Sequence, residues 1–168
     1  MGQKQIMQLF FENPGKEFHI RGIARQLRIS KTAASYHINR LVREGLVQKS
    51  RKGVFPSYAA GETGLFRHYK RQWGIEQIVR SGLIEALEQL NPSCIVLFGS
   101  FAKGEYDTRS DIDLFVQAHD APFGLTPFEK KLKHKIHILF SEELSTLSPQ
   151  LYGALINGMT LSGYLKAR

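Results

Sequence analysis

"GSFAKGEYDTRSDIDLFV", Gly99 to Val116, follows directly on the apolar run "CIVLF", Cys94 to Phe98. The pair reads as one strand, a glycine-serine bend, an interval of eleven positions from Ser100 to Asp111, and a second strand, Asp111 to Val116. Side chains alternate across a strand, so Asp111 and Asp113 project together while Ile112, Leu114 and Val116 turn to the core. Two such carboxylates, roughly 6.5–7 Å apart along the strand, can converge on a divalent cation. Without a cation they repel, and one pKa should rise. Gly99 allows close backbone approach, and Ser100 offers a hydroxyl and an N–H to a phosphate. Metal and phosphate thus meet in one place, and the acidity of the stretch reads as a magnesium seat for a nucleoside triphosphate.

This arrangement resembles the polymerase-β-type nucleotidyltransferases, and specifically their minimal branch. The matching parts are Gly99-Ser100, the basic-glycine pair Lys103-Gly104, and Ser110-Asp111-Ile112-Asp113-Leu114. The likeness extends over about residues 93–165. It implies that Gly99 and Ser100 hold the triphosphate and that Asp111 and Asp113 hold magnesium, with manganese as the alternative. It also implies transfer of a nucleoside monophosphate to a hydroxyl acceptor, with release of pyrophosphate. Lys103 and Arg109 could neutralise phosphate charge, or simply lie on the surface. The family places a third carboxylate on the next strand between hydrophobic residues. Here the candidate strand is "HKIHILF", His134 to Phe140, and the middle of Ile136-His137-Ile138 is histidine. Imidazole suits manganese, zinc or nickel, so His137 could act as a base, could ligate a softer metal, or could mark a site that binds nucleotide without turnover. A glycosyltransferase Asp-x-Asp motif competes, but the remaining chain is too short for that fold. A calcium loop would need more oxygen ligands in tighter sequence.

The net charge of +8 is uneven. Residues 1–70 hold 13 Lys/Arg against 4 Asp/Glu, a surplus of +9, whereas residues 71–168 hold 10 against 11, a balance of −1. A half this basic suggests a polyanionic partner. The pattern there is helix (residues 3–12), an Asn13-Pro14-Gly15 stop, a second helix with Ile23, Ala24 and Leu27 inward, and a third from Lys31 to Glu44. Ser30 should cap the third helix and Gly45 should end it. "LVQKS" and "VFPSYA" read as strands joined by a basic tip, Arg51-Lys52-Gly53. Residues 3 to about 60, and "ISKTAASYHINRLVREGLV" above all, resemble a winged helix-turn-helix DNA-binding domain. On the third helix Ala34, Ile38 and Leu41 should pack inward. Lys31, Thr32, Ser35, Tyr36, Asn39, Arg40 and Arg43 would then meet double-stranded DNA, with Arg51 and Lys52 of the wing along its backbone or minor groove. A solvated polar helix face is the alternative.

From Gly61 to Asn91 the pattern is helical, with Leu65, Tyr69 and Trp73 on one stripe that reads as core or as a homodimer surface. The expected organisation is α+β: a winged helix-turn-helix over 1–60, a helical connector over 61–92, and a small mixed-sheet nucleotidyltransferase domain over 93–168. A single cysteine, the want of a 20-residue apolar run and an N-terminus unlike a signal peptide point to a cytoplasmic protein without a membrane partner. Three functions fit. One is a DNA-binding nucleotidyltransferase. The second is a transcriptional regulator whose degenerate transferase domain senses nucleotide. The third, by family analogy, is the antitoxin of a pair with a small helical toxin partner.

Overall fold

The computed structural model describes residues 2–50 and 53–166. They fall into two compact units, Met1–Lys70 and Arg71–Arg168. The expected basic wing tip, Arg51 and Lys52, lies outside the described residues. Among the described residues no helix is long and apolar enough to cross a membrane.

The first unit is built from α1 (Gly2–Glu12), α2 (Ile20–Leu27), α3 (Lys31–Arg43) and an antiparallel hairpin of β1 (Val47–Ser50) and β2 (Ser57–Ala60). Ile6, Leu9 and Phe10 of α1, Ile23 and Ala24 of α2, and Ala34, Ile38 and Leu41 of α3 are all buried. The helix boundaries follow from local chemistry. The Ser30 hydroxyl accepts the Ala33 N–H at 3.0 Å, and Gly45 takes up φ +70° just past α3. Phe18 exchanges two backbone hydrogen bonds of 2.8 Å with Tyr58, which ties the α1–α2 link to the hairpin. β2 is shorter than the sequence suggests, because Pro56 has no N–H for the ladder, and Val54 and Phe55 ahead of it are exposed.

The expected connector 61–92 is occupied by α4 (Gly64–Arg80) and α5 (Leu83–Glu88), and the division between units falls within α4. The Leu65–Tyr69 stripe is not core: these side chains are 46% and 44% exposed. The buried row lies one position over, at Phe66, Lys70, Gly74 and Ile78, each four residues apart. Gly74 is there for space. A Cβ at that position would stand 3.0 Å from the Tyr106 ring and 3.1 Å from Phe101, whose rings stack at 3.9 Å. Gly82, at φ +84°, breaks the helix, and the Ser81 hydroxyl donates to Ile78 O at 2.6 Å and accepts from Leu83 N–H at 3.1 Å.

The second unit centres on a mixed four-stranded sheet in the order β5-β4-β3-β6, formed by β3 (Cys94–Phe98), β4 (Ile112–Val116), β5 (Ile136–Phe140) and β6 (Met159–Gly163). β4 runs antiparallel to β3 and parallel to β5. One face carries Ile95, Leu97, Ile112, Leu114 and Ile136 against Ile78, Leu83 and Leu87. The other carries Cys94, Val96 and Phe115 against Leu144 and Leu155, the latter from α8 (Pro149–Ile156). Burial on both faces explains why β3 is apolar at every position. The basic run Lys130–Lys135 is partly helical: it overlaps α7 (Thr126–Leu132), which the sequence reading does not foresee. Lys131 is structural, its ammonium donating to Arg80 O at 3.0 Å and Ser81 O at 2.9 Å at the end of α4.

Candidate functional site

The sheet register assembles the acidic end. Phe98 on β3 pairs with Asp113 on β4, and Asp113 pairs with His137 on β5, so the three stand in one row across three strands on one face. Phe115, two residues beyond Asp113, is covered on that face within the Cys94–Val96–Leu155 cluster. The row itself stays open: side-chain exposure is 30% at Asp113, 42% at Asp111 and 67% at His137. Asp111 sits one residue ahead of β4 rather than inside it.

The imidazole of His137 stands between two acids. Its Nδ1 is 3.8 Å from Asp113 Oδ1 and its Nε2 is 4.0 Å from Asp111 Oδ2. Burial pushes the Asp113 carboxyl above its ordinary pKa; His137 draws it down and the charge of Asp111 pushes it up again. Gly99, at φ +70°, sets its bare Cα against the Asp113 carboxylate, and a Cβ there would overlap that group. Gly99 also opens the short helix α6 (Gly99–Lys103), whose first-turn N–H groups have no intrahelical acceptor. Ser100 lies in that turn.

The four acids of the stretch therefore sort into different jobs. Asp107 is a turn former: its Oδ1 accepts the Arg109 N–H at 2.8 Å and the Ser110 hydroxyl at 3.2 Å, which holds its pKa down. Arg109 follows that turn, its guanidinium 3.8 Å from Asp107 and almost fully exposed. Lys103 is exposed at the end of α6. Glu105 is exposed and its side chain is outside the row.

Among the described residues no three His, Cys, Asp or Glu converge closely enough to hold a metal ion unaided. The donors present nevertheless fit a divalent ion delivered with its nucleotide. Magnesium keeps several waters and is held through one or two carboxylates together with substrate phosphates. The nitrogen of His137 suits manganese better than magnesium.

On the first unit, Lys31, Thr32, Tyr36, Asn39, Arg40 and Arg43 are exposed on α3, and Ser35 is partly so. Arg40 is held by Glu44, Nε to Oε1 at 2.8 Å, and Asn39 Nδ2 reaches Ser35 Oγ at 3.5 Å. These contacts are weak enough at a wet surface to be exchanged for phosphate or base edges.

Comparison with known proteins places these two regions. Residues 4–53 match the MarR family, and residues 80–160 match the nucleotidyltransferase domain family. A 55-residue segment is 38% identical to the "Putative protein adenylyltransferase" of Methanocaldococcus jannaschii, covering 33% of this chain. The matched segment spans 64% of that relative's length.

Proposed function

We propose that this chain, which joins a MarR-type winged helix-turn-helix DNA-binding domain (residues 4–53) to a nucleotidyltransferase domain (residues 80–160), moves a nucleoside monophosphate from a nucleoside triphosphate to a hydroxyl of a protein acceptor. The observation that carries the reading is the row of Asp113 and His137 beside Asp111 and the bare Cα of Gly99. The protein acceptor follows from the relative's name.

In this scheme Gly99 and Ser100 bind the β- and γ-phosphates through backbone N–H groups and the Ser100 hydroxyl. Lys103 and Arg109 balance their charge. Asp111 and Asp113 would hold a divalent ion, which when bound stabilises negative charge on the attacking and leaving oxygens. The acceptor oxygen attacks the α-phosphorus, the bond from that phosphorus to the bridging oxygen breaks, and pyrophosphate leaves with the bonding electrons. The acceptor's proton passes to a ring nitrogen of His137, which stands between the two carboxylates. Incubation with labelled ATP or CTP, magnesium or manganese, and candidate acceptors tests the whole reading; label on no acceptor with any of these would overturn it.

The histidine also favours a second reading, in which nucleotide binds without turnover and the DNA-binding unit reports its presence. The labelled-acceptor assay on the wild-type chain separates the two, and replacement tests the position of the histidine. His137→Asp should raise magnesium-dependent turnover several-fold, because a third carboxylate adds an oxygen ligand and can take the acceptor's proton in place of the imidazole. No change in rate or in metal preference would mean that His137 does not occupy the third-acid position.

The two modules should also be separable. Arg40→Ala should weaken binding to duplex DNA by about tenfold, in the range expected for one base-edge or phosphate contact. Nucleotide binding should stay as it was. Equal losses in gel-shift and nucleotide titrations would speak against independent sites.

A further inference from the structure

The strand row does not end at Asp113. Phe98, its third member, is also a wall of a cleft of 540 Å³ between α6 and α8. That volume falls in the roughly 300–1,000 Å³ range of small-molecule sites. Gly99 and Lys103 line it from one side, and Gln150, Gly153, Ala154 and Asn157 from the other. These last four stand at i, i+3, i+4 and i+7, a single face of α8 and its C-cap, while Leu151 and Leu155 turn to the core. α8 therefore offers the cleft a floor of small residues with an amide at each end.

We propose that this cleft binds the nucleoside of the substrate, base and ribose, while its phosphates lie at Gly99 and Ser100. The inference rests on the transferase reading and adds to it the place where the base is read. Three features favour a nucleoside. Gly99 belongs both to the cleft and to the carboxylate site, so the two adjoin and one extended ligand can occupy both. The lining holds one lysine and no carboxylate, which suits the uncharged end of an anionic ligand. Its chemistry is that of base recognition: the Phe98 ring for a π-face, and amides that both donate and accept for a base edge. Asn157 Nδ2 donates to Gly153 O at 2.8 Å, which fixes the amide with Oδ1 left to accept. Gln150 is exposed at the opposite end, and its amide both donates and accepts.

Gly153 makes the test clean. A Cβ there meets nothing within 4 Å, so a larger side chain enters the cleft without disturbing the core. In the full-length chain with manganese or magnesium present, ATP and inorganic tripolyphosphate are titrated calorimetrically. Wild type should bind ATP more tightly than tripolyphosphate. Gly153→Leu should weaken ATP by about tenfold or more while leaving tripolyphosphate within about twofold. Gln150→Ala should weaken ATP in the same sense and change the order of preference among ATP, CTP, GTP and UTP. Equal affinities of wild type for ATP and tripolyphosphate, or ATP binding untouched in both variants, would overturn the assignment and leave the transferase reading standing. If wild type binds neither ligand, that reading falls and the cleft assignment falls with it. An acceptor peptide whose binding, rather than that of ATP, is lost in Gly153→Leu would give the cleft to the acceptor and overturn the nucleoside proposal.

Discussion

Asp113→Asn lowers nucleotidyl transfer by about 10³-fold and, in the absence of metal and nucleotide, makes the protein more resistant to heat. Both halves come from one fact: a carboxylate kept partly out of water beside a second acid. Its raised pKa means that the folded state holds the proton more tightly than the unfolded chain does. The site therefore costs no stability below the ordinary carboxylate range, near about pH 4. As pH rises through the higher folded value, that stability is lost and stays lost at neutral pH. Asn has the same shape and no charge, so the variant escapes the loss, and its Tm at pH 7 should exceed that of wild type. Below about pH 4 the two melting curves should approach each other. Manganese or magnesium should raise the Tm of wild type more than that of the variant. Full activity in Asp113→Asn would end the transferase proposal. A lowered Tm in the metal-free variant would instead make Asp113 a structural residue.

The core of this site is legible in the sequence because alternation is a local property. Cys94–Phe98 reads as a strand from composition alone, and it is one, residue for residue. Asp113 faces away from Ile112 and Leu114 because the pleat allows nothing else. His137 between Ile136 and Ile138 carries the same signal. What no local pattern contains is the parallel register that sets His137 beside Asp113, since the two lie on strands separated by a helix and its flanking loops. The core reading of the α4 stripe fails at Leu65 and Tyr69 for a related reason. Leu65 and Tyr69 form a good helical row, but Phe66, Gly74 and Ile78 form an equally good one a position later. Gly74 has no side chain to advertise the Phe101–Tyr106 pair that needs its space. The cleft face of α8 was silent too, because Gln150, Gly153, Ala154 and Asn157 become meaningful only once Phe98 and Gly99 stand opposite.

Gly99→Ala should damage stability and turnover together, and a second glycine shows how to tell the causes apart. Gly99 and Gly82 both hold positive φ, +70° and +84°. Alanine in that region costs about 1–2 kcal/mol, so each substitution should lower Tm by about 5–15 °C. At Gly82 the strain is the whole effect, since an added Cβ meets nothing within 4 Å. At Gly99 the same Cβ overlaps the Asp113 carboxylate, which must swing out of the row. A displacement of about 1 Å in a positioned group is enough for a loss of about 10² in rate. Assayed well below their melting temperatures, Gly82→Ala should keep wild-type turnover and Gly99→Ala should lose about 10²-fold. Thermal melts and labelled-nucleotide assays on the same preparations make the comparison. Equal turnover in the two variants would show that the close approach of Gly99 to Asp113 serves the fold alone. A selective loss at Gly99 places the cause in the site itself, because the backbone strain is common to both positions while the Asp113 contact and the phosphate and cleft positions belong to Gly99 alone.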